Sequence, residues 1–263
     1  DEGTIKYLVE IESGSMVEMV VIPEKTRRTL CVSSQAGCAL QCTFCATGAQ
    51  GFDQDLKSSE IIGQLWLANF HAKDSKPITN IVFMGMGEPL LNFDAVIESA
   101  KIMKDQLAYG LSRKRVTIST SGIVPNIERL SKEIDVSLAI SLHASENKLR
   151  NQIVPINKKY PIESLLESCK KYLENYQNKR TITIEYILIN EINDSLDHAN
   201  KLSKLLSNIS CKINLIPFNS FKGSSYKRPS MKKINSFKRY LMNKGYIATL
   251  RITRGDAIDL SLI

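Results

Sequence analysis

No apolar run in this 263-residue sequence approaches the length of about 18 residues that a membrane-spanning helix needs, so no bilayer span is expected. No secretory leader pattern opens it, which points to the cytoplasm. It has no low-complexity stretch and no internal repeat, which excludes fibrous and solenoid architectures. Histidine is scarce: His71, His143 and His198 stand far apart, so no close-spaced Cys/His pair is present to complete a structural zinc site. Acids are in deficit, with 27 Asp and Glu against 35 Lys and Arg, a net charge of +8. That excess suits a polyanionic partner and is equally compatible with an ordinary basic surface. What remains is globular: 43% apolar and 24% charged residues, at a length that fits one α/β barrel or two smaller domains. The sequence begins at Asp1 rather than Met and is expected to be part of a longer protein.

The six cysteines are Cys31, Cys38, Cys42, Cys45, Cys169 and Cys211, and the first four fall within fifteen residues. A disulfide framework would spread them more evenly through a shorter chain. This clustering indicates metal or redox chemistry in a reducing compartment.

Residues 4–11 and 16–22 alternate as strands, with Ser13-Gly14 as the turn between them. They are expected to form a β-hairpin extension, residues 1–27, ahead of a core spanning residues 28–263. In that core, short apolar runs (29–33, 80–84, 115–119, 136–142, 181–189, 212–216, 246–252) alternate with amphipathic stretches (59–71, 93–107, 162–176, 196–206, 231–243). In the first stretch Ile61, Ile62, Leu65, Trp66 and Phe70 recur at helical spacing as one apolar face. The alternation predicts a parallel α/β sheet with right-handed crossovers, as a barrel or open barrel, with a doubly wound sheet as the rival. Five unusual segments, 38–45, 85–89, 119–122, 141–143 and 217–219, each follow an apolar run. Active sites of parallel α/β folds lie at that strand edge, so the five are expected to line one rim.

Cys38, Cys42 and Cys45 form Cys-x3-Cys-x2-Cys. Three thiolates suit part of a zinc site or an iron–sulfur cluster. On a [4Fe–4S] cube they leave one iron without a protein ligand, free to bind a substrate or cofactor. This spacing, with Phe44 before the last cysteine, resembles the signature of enzymes that cleave S-adenosylmethionine (SAM) to a radical. Gly85-Met86-Gly87-Glu88-Pro89 supports it, because glycines admit close backbone approach and a carboxylate beside them can hold an ammonium group.

Further motifs make the resemblance specific. Leu30-Cys31-Val32-Ser33-Ser34-Gln35, Gly37-Cys38-Ala39-Leu40-Gln41-Cys42, the segment Phe83 through Asn92, Ser119-Thr120-Ser121-Gly122, Ile140-Ser141-Leu142-His143-Ala144, the segment Ile153 through Tyr160, the segment Cys211 through Pro217 and Thr253-Arg254-Gly255-Asp256 are similar to the RlmN/Cfr family of radical-SAM RNA adenine methyltransferases, on the RlmN side. The resemblance implies a radical-SAM partial (βα)6-type barrel with an N-terminal β-hairpin. It implies a [4Fe–4S] cluster and SAM as cofactors, and methylation of adenine C2 in 23S rRNA and tRNA. An electron donor such as flavodoxin, a monomer and a cytoplasmic location go with it. By the same resemblance Cys38, Cys42 and Cys45 hold the cluster; Gly87, Glu88, Ser119, Ser141, Leu142, His143 and Asn219 contact SAM; Cys31 is the resolving thiol; Glu18 is the acid/base at the adenine.

On residue type alone these positions read otherwise. Cys31 on an apolar strand is a packed thiol, Glu18 a solvated face, and His143 a hydrogen-bonded core histidine. Cys169 and Cys211 read as structural. Basic runs at 25–28, 113–115, 158–159, 227–228 and 232–233 are candidate phosphate contacts. The alternatives are a radical-SAM enzyme acting on a protein or small molecule, and a non-catalytic zinc or RNA-binding module.

Two segments depart from the family pattern. Residues 51–56 lack its usual basic residue and asparagine. Position 262, where the pattern places a methyl-carrying cysteine, is Leu262, with Ser261 before it. An unactivated alcohol is a far poorer nucleophile than a thiolate, so this chain is expected to bind cluster and SAM without turning over adenine methylation.

Overall fold

The computed structural model describes residues 3–71, 76–177, 179–221 and 223–251. In chain order these form β1 (Ile5–Glu10), β2 (Met16–Pro23), β3 (Arg28–Cys31), β4 (Gln35–Gly37), α1 (Ala46–Gln50), β5 (Phe52–Asp55), α2 (Ser58–Phe70), β6 (Asn80–Phe83), α3 (Phe93–Lys104), β7 (Val116–Thr120), α4 (Val124–Glu133), β8 (Ser137–Ser141), α5 (Asn147–Ile153), α6 (Ile162–Glu174), β9 (Ile182–Leu188), α7 (Leu196–Leu205), β10 (Cys211–Pro217), α8 (Met231–Asn243) and β11 (Ala248–Leu250).

Nine strands make one sheet in the order β1-β2-β3-β6-β7-β8-β9-β10-β11. β1 and β2 run antiparallel, and β2 pairs antiparallel with β3 through Val20 and Cys31, so the expected hairpin extends the main sheet. From β3 onward the strands are parallel. Their spatial order follows their sequence order with no reversal. A doubly wound sheet needs a reversal at its switch point, so the winding is that of the open barrel.

Alternation within the strands explains how a parallel sheet keeps a polar inner face. In β7, Val116 and Ile118 are buried while Thr117 is not; in β10, Ile213 and Leu215 are buried while Lys212 is exposed. Successive side chains on a strand point to opposite faces. One face thus packs on the helices in the main hydrophobic core, and the other turns threonine, serine, glutamate and asparagine toward the barrel interior.

Three expectations need correcting. β4 and β5, a two-stranded ribbon of three and four residues, were not predicted, because neither is long enough to show a period. The ribbon includes part of the divergent 51–56 segment. The helix α4 was not predicted either: only Ile127 and Leu130 are buried along its ten residues, a stripe too narrow to stand out beside Gly122 and Pro125. In α2, the five apolar residues do not share one buried face. Ile61 and Leu65 are buried with Gln64 and Ala68, whereas Trp66 is 47% and Phe70 67% exposed. Leu65→Ala is therefore expected to cost about 2–5 kcal/mol, and Phe70→Ser less than about 0.5 kcal/mol, in urea-denaturation midpoints. Equal losses would show that α2 buries a different face.

Candidate active site

Strand ends at the C-terminal edge of the sheet surround a cleft with about 700 Å3 of empty space that opens to solvent. Its wall includes Cys38, Cys42, Cys45, Gly87, Glu88, Ser119, Ser141 and His143. Four of the five predicted rim segments meet there. The fifth, residues 217–219, does not reach the wall.

The cysteine loop is held by backbone bonds at three points. The Cys38 N–H donates to the Gly51 carbonyl (2.8 Å), Thr43 N–H to the Ile153 carbonyl (3.1 Å), and Cys45 N–H to the Cys42 carbonyl (3.0 Å). Phe44 turns inward, and its ring meets His143 edge-on with centroids 4.7 Å apart. Burial pushes the Cys38 thiol up to about 12 and raises Cys42 and Cys45 as well; backbone N–H groups of Thr47 and Gly48 work the other way at Cys45. All six cysteines are free thiols. Among the described residues no three His, Cys, Asp or Glu are grouped to hold a single metal ion, as mononuclear zinc requires. Cys38 and Cys45 both bear on the charge at Cys42, so the three thiols form one donor set at the cleft.

The facing wall is the turn after β6. Gly85 N–H donates to the Val32 carbonyl at 3.0 Å, and a Cβ on Gly85 would lie 2.6 Å from that same oxygen, so only glycine fits. The Glu88 carboxylate accepts Leu90 N–H (3.1 Å) and Ser121 N–H (2.7 Å), tying this turn to the end of β7. Burial raises its pKa, and these N–H donors oppose the rise.

His143 sits in the left-handed region, φ 61°. Its Nδ1 accepts the Ile187 N–H (3.0 Å), and its carbonyl accepts the Asn193 amide (2.9 Å). With Nδ1 accepting, the neutral ring of this cleft-lining residue carries its proton on Nε2, which is buried and has no partner among the described residues. A buried donor without a partner fits a ligand acceptor. Burial drives the His143 pKa down to about 3, with the Arg150 charge adding to the fall. The unfolded chain takes up a proton below about 6.5, so the stability due to this histidine is complete above that pH and declines toward pH 3 by up to about 1.4 kcal/mol per pH unit. Denaturation of the parent and of His143→Gln between pH 7.5 and 4.5 checks this: the variant is expected to lose less stability, and parallel curves would refute it.

The other predicted residues lie off the cleft wall. The Leu142 side chain is in the core. Asn219, beyond β10, accepts from the Arg228 guanidinium at 3.5 Å. Cys31 is buried on β3, its thiol pushed up to about 11 by burial, with the Met84 N–H and the Arg251 charge opposing. Glu18, on the strand beside it, forms an ion pair with Lys6 at 3.0 Å. Among the basic runs, Arg28 is buried: it donates to the Ala68 carbonyl (3.2 Å) and to the Lys76 carbonyl, and so is not a surface phosphate contact.

Glu185 of β9 was missed and lines the cleft. It accepts from the Asn214 amide (2.8 Å), whose oxygen accepts the Thr249 hydroxyl (3.0 Å). Burial raises its pKa, against the Arg251 and Lys212 charges. The available signal was one acid inside an otherwise uncharged strand, Ile182–Leu188.

The family model described as the Radical SAM superfamily matches residues 32–202. A dual-specificity RNA methyltransferase RlmN of Pseudomonas putida (strain W619) is 56% identical over 98% of this chain and 69% of its own length, and its counterpart in Pseudomonas fluorescens (strain SBW25) gives the same figures. The crystal structure of a radical SAM methyltransferase from Sphaerobacter thermophilus superposes with a TM-score of 0.92 at 40% identity, over 96% of this chain and 74% of that one. Spore photoproduct lyase, at 10% identity and a TM-score of 0.59, shares the fold alone. A thiol triad facing a glycine–glutamate turn across one cleft, in a chain this similar throughout, belongs to the radical SAM superfamily and, within it, to the RlmN family.

Proposed function

We propose that this chain is the core of a radical-SAM RNA methyltransferase acting on adenine C2 in rRNA and tRNA. The observation that carries the reading is the gathering of Cys38, Cys42 and Cys45 with Gly87, Glu88, Ser119, Ser141 and His143 round one cleft. Adenine C2 is an electron-poor carbon with no nucleophilic lone pair, so direct polar methyl transfer to it is disfavoured. Bound in the cleft, a [4Fe–4S] cluster with SAM supplies an electron and, through it, hydrogen abstraction from an unactivated methyl group.

The remaining tasks fall to the chain's own residues. The three cysteines take iron as thiolates and leave one corner of the cube without a protein ligand. The Ser119 and Ser141 hydroxyls and the unpartnered His143 Nε2–H orient the nucleoside part of SAM, with Gly87 giving room for the backbone to approach. Leu142 contributes through its backbone, and Asn219 from beside the cleft. Leu40, Phe44 and Phe83 make the wall apolar and limit water. Glu18, held by Lys6, moves the proton at the adenine, and Cys31 serves as the resolving thiol. The target base must leave its stack to reach this depth. A flavodoxin-type electron donor, a monomeric state and a cytoplasmic setting complete the proposal.

Position 262, Leu262 in place of the methyl-carrying cysteine, lies outside the described residues. Anaerobic reconstitution with iron and sulfide, followed by SAM and dithionite, is expected to yield 5′-deoxyadenosine and methionine but no C2-methyladenine in added RNA. Methylated RNA would overturn the reading of Leu262. About one zinc per chain without acid-labile sulfide would overturn the cluster.

A further inference from the structure

Arg150, in α5, is fully buried, with 0% exposure. Its guanidinium donates to the carbonyls of Leu142 (2.9 Å), Ser141 (2.9 Å) and Ser121 (2.6 Å) and to the Asn157 side-chain oxygen (2.9 Å). All four acceptors are neutral. Among the described residues no carboxylate stands within ion-pair distance of it. A cation removed from water with no counter-charge is costly, and carbonyl dipoles offset only part of that cost.

The adjoining cleft can supply the missing charge. The ionisable groups whose charge Arg150 feels are Cys42, Cys169 and Glu88. Cys169 is in the core, and Glu88 already accepts two backbone N–H groups. Cys42 faces the cleft. Helix α5 is also bonded to the cysteine loop, through Thr43 N–H and the Ile153 carbonyl. The guanidinium is not part of the cleft wall, so it acts across the wall by its field. Burial lowers its pKa to about 10, which leaves it charged at neutral pH.

We propose that Arg150 is the counter-cation of the anionic thiolate-bound cluster in the cleft, and that three of its four bonds position the strand ends carrying Ser121, Ser141 and Leu142. This rests on the cluster reading above. An electron added to the cluster is stabilised by nearby positive charge in a low-dielectric setting, so Arg150 raises the reduction potential.

The test uses the full chain, reconstituted anaerobically, with iron and sulfide counted before the midpoint is measured by dithionite titration and electron paramagnetic resonance. Arg150→Met removes the charge, and Arg150→Lys keeps it without the fork of bonds. Asn157→Asp keeps Arg150 and places a carboxylate on the atom it already bonds. The expected result is a downward shift of the midpoint in Arg150→Met and Asn157→Asp, and a parental midpoint with weaker SAM binding in Arg150→Lys. Parental midpoints in both charge-altering variants would overturn the proposal. Should Arg150→Met fail to fold, the near-isosteric Asn157→Asp keeps the proposal falsifiable: an unshifted midpoint with a carboxylate on the guanidinium shows that charge at this place is not felt in the cleft and overturns the proposal. A parent chain that takes up no iron and sulfide would instead overturn the cluster reading.

Discussion

Cys42→Ala is expected to leave the reconstituted chain with less than about one iron in place of roughly four, and to lower SAM cleavage by at least about 100-fold. The loop gives each thiolate its own place, so two cannot close a cube that three are set to hold. The fold survives the change. Cys42 is only half-buried, and the three bonds that anchor the loop are all backbone bonds, which alanine keeps. Urea denaturation should therefore show a loss below about 1 kcal/mol. The control is Cys169→Ala on α6, outside the cleft wall and completely buried. It is expected to retain full iron while losing stability by about 1 kcal/mol or more, as a packed core side chain does. Full iron in Cys42→Ala would refute the assignment of the triad.

Gly37→Ala is expected to cost at least about 3 kcal/mol and to reduce iron uptake with it. Gly37 ends β4 with φ 75°, and a Cβ there would lie 1.9 Å from the Gly51 carbonyl oxygen and 2.9 Å from its carbon. Both atoms are backbone, so no side-chain rotation relieves the overlap. The two strands of the small ribbon must part. The first bond lost is Cys38 N–H to that same Gly51 oxygen, which fixes the first cysteine. Gly14→Ala separates conformational strain from collision: Gly14 has a similar φ of 87°, but nothing lies within 4 Å of its added Cβ. It is expected to cost about 1–2 kcal/mol by strain alone. Equal losses in the two variants would show that close approach is not what Gly37 provides.

The parallel strands, three to seven residues long, were readable because short apolar runs recur between amphipathic stretches, and the amphipathic stretch 231–243 coincides with α8, Met231–Asn243, whose first turn the Ser230 hydroxyl caps at 3.4 Å. The cysteine triad and the glycine–glutamate turn were readable because their chemistry depends on local spacing and on following a strand, whereas His143, which by residue type reads as a core histidine, was singled out by the family resemblance. The burial of Arg28 was not, since it depends on the carbonyls of Ala68 and Lys76, some 40 and 48 residues away. The exposed Trp66 and Phe70 were misjudged for a related reason. Helical spacing defines a face but not which face is buried, and here Ile61, Gln64, Leu65 and Ala68 are buried.

The sequence by itself determined the strand–helix alternation, the identity of the thiol triad and the turn that faces it. These follow from periodicity and from motifs a few residues long, where the physics is local. Only the tertiary structure decided which groups share a space. It placed Glu185 in the cleft beside Ser141, left Cys31 and Glu18 off its wall, and enclosed the charge of Arg150 among carbonyls from two strand ends. Burial and pKa come from surroundings assembled across the whole sheet. No short window of residues contains them.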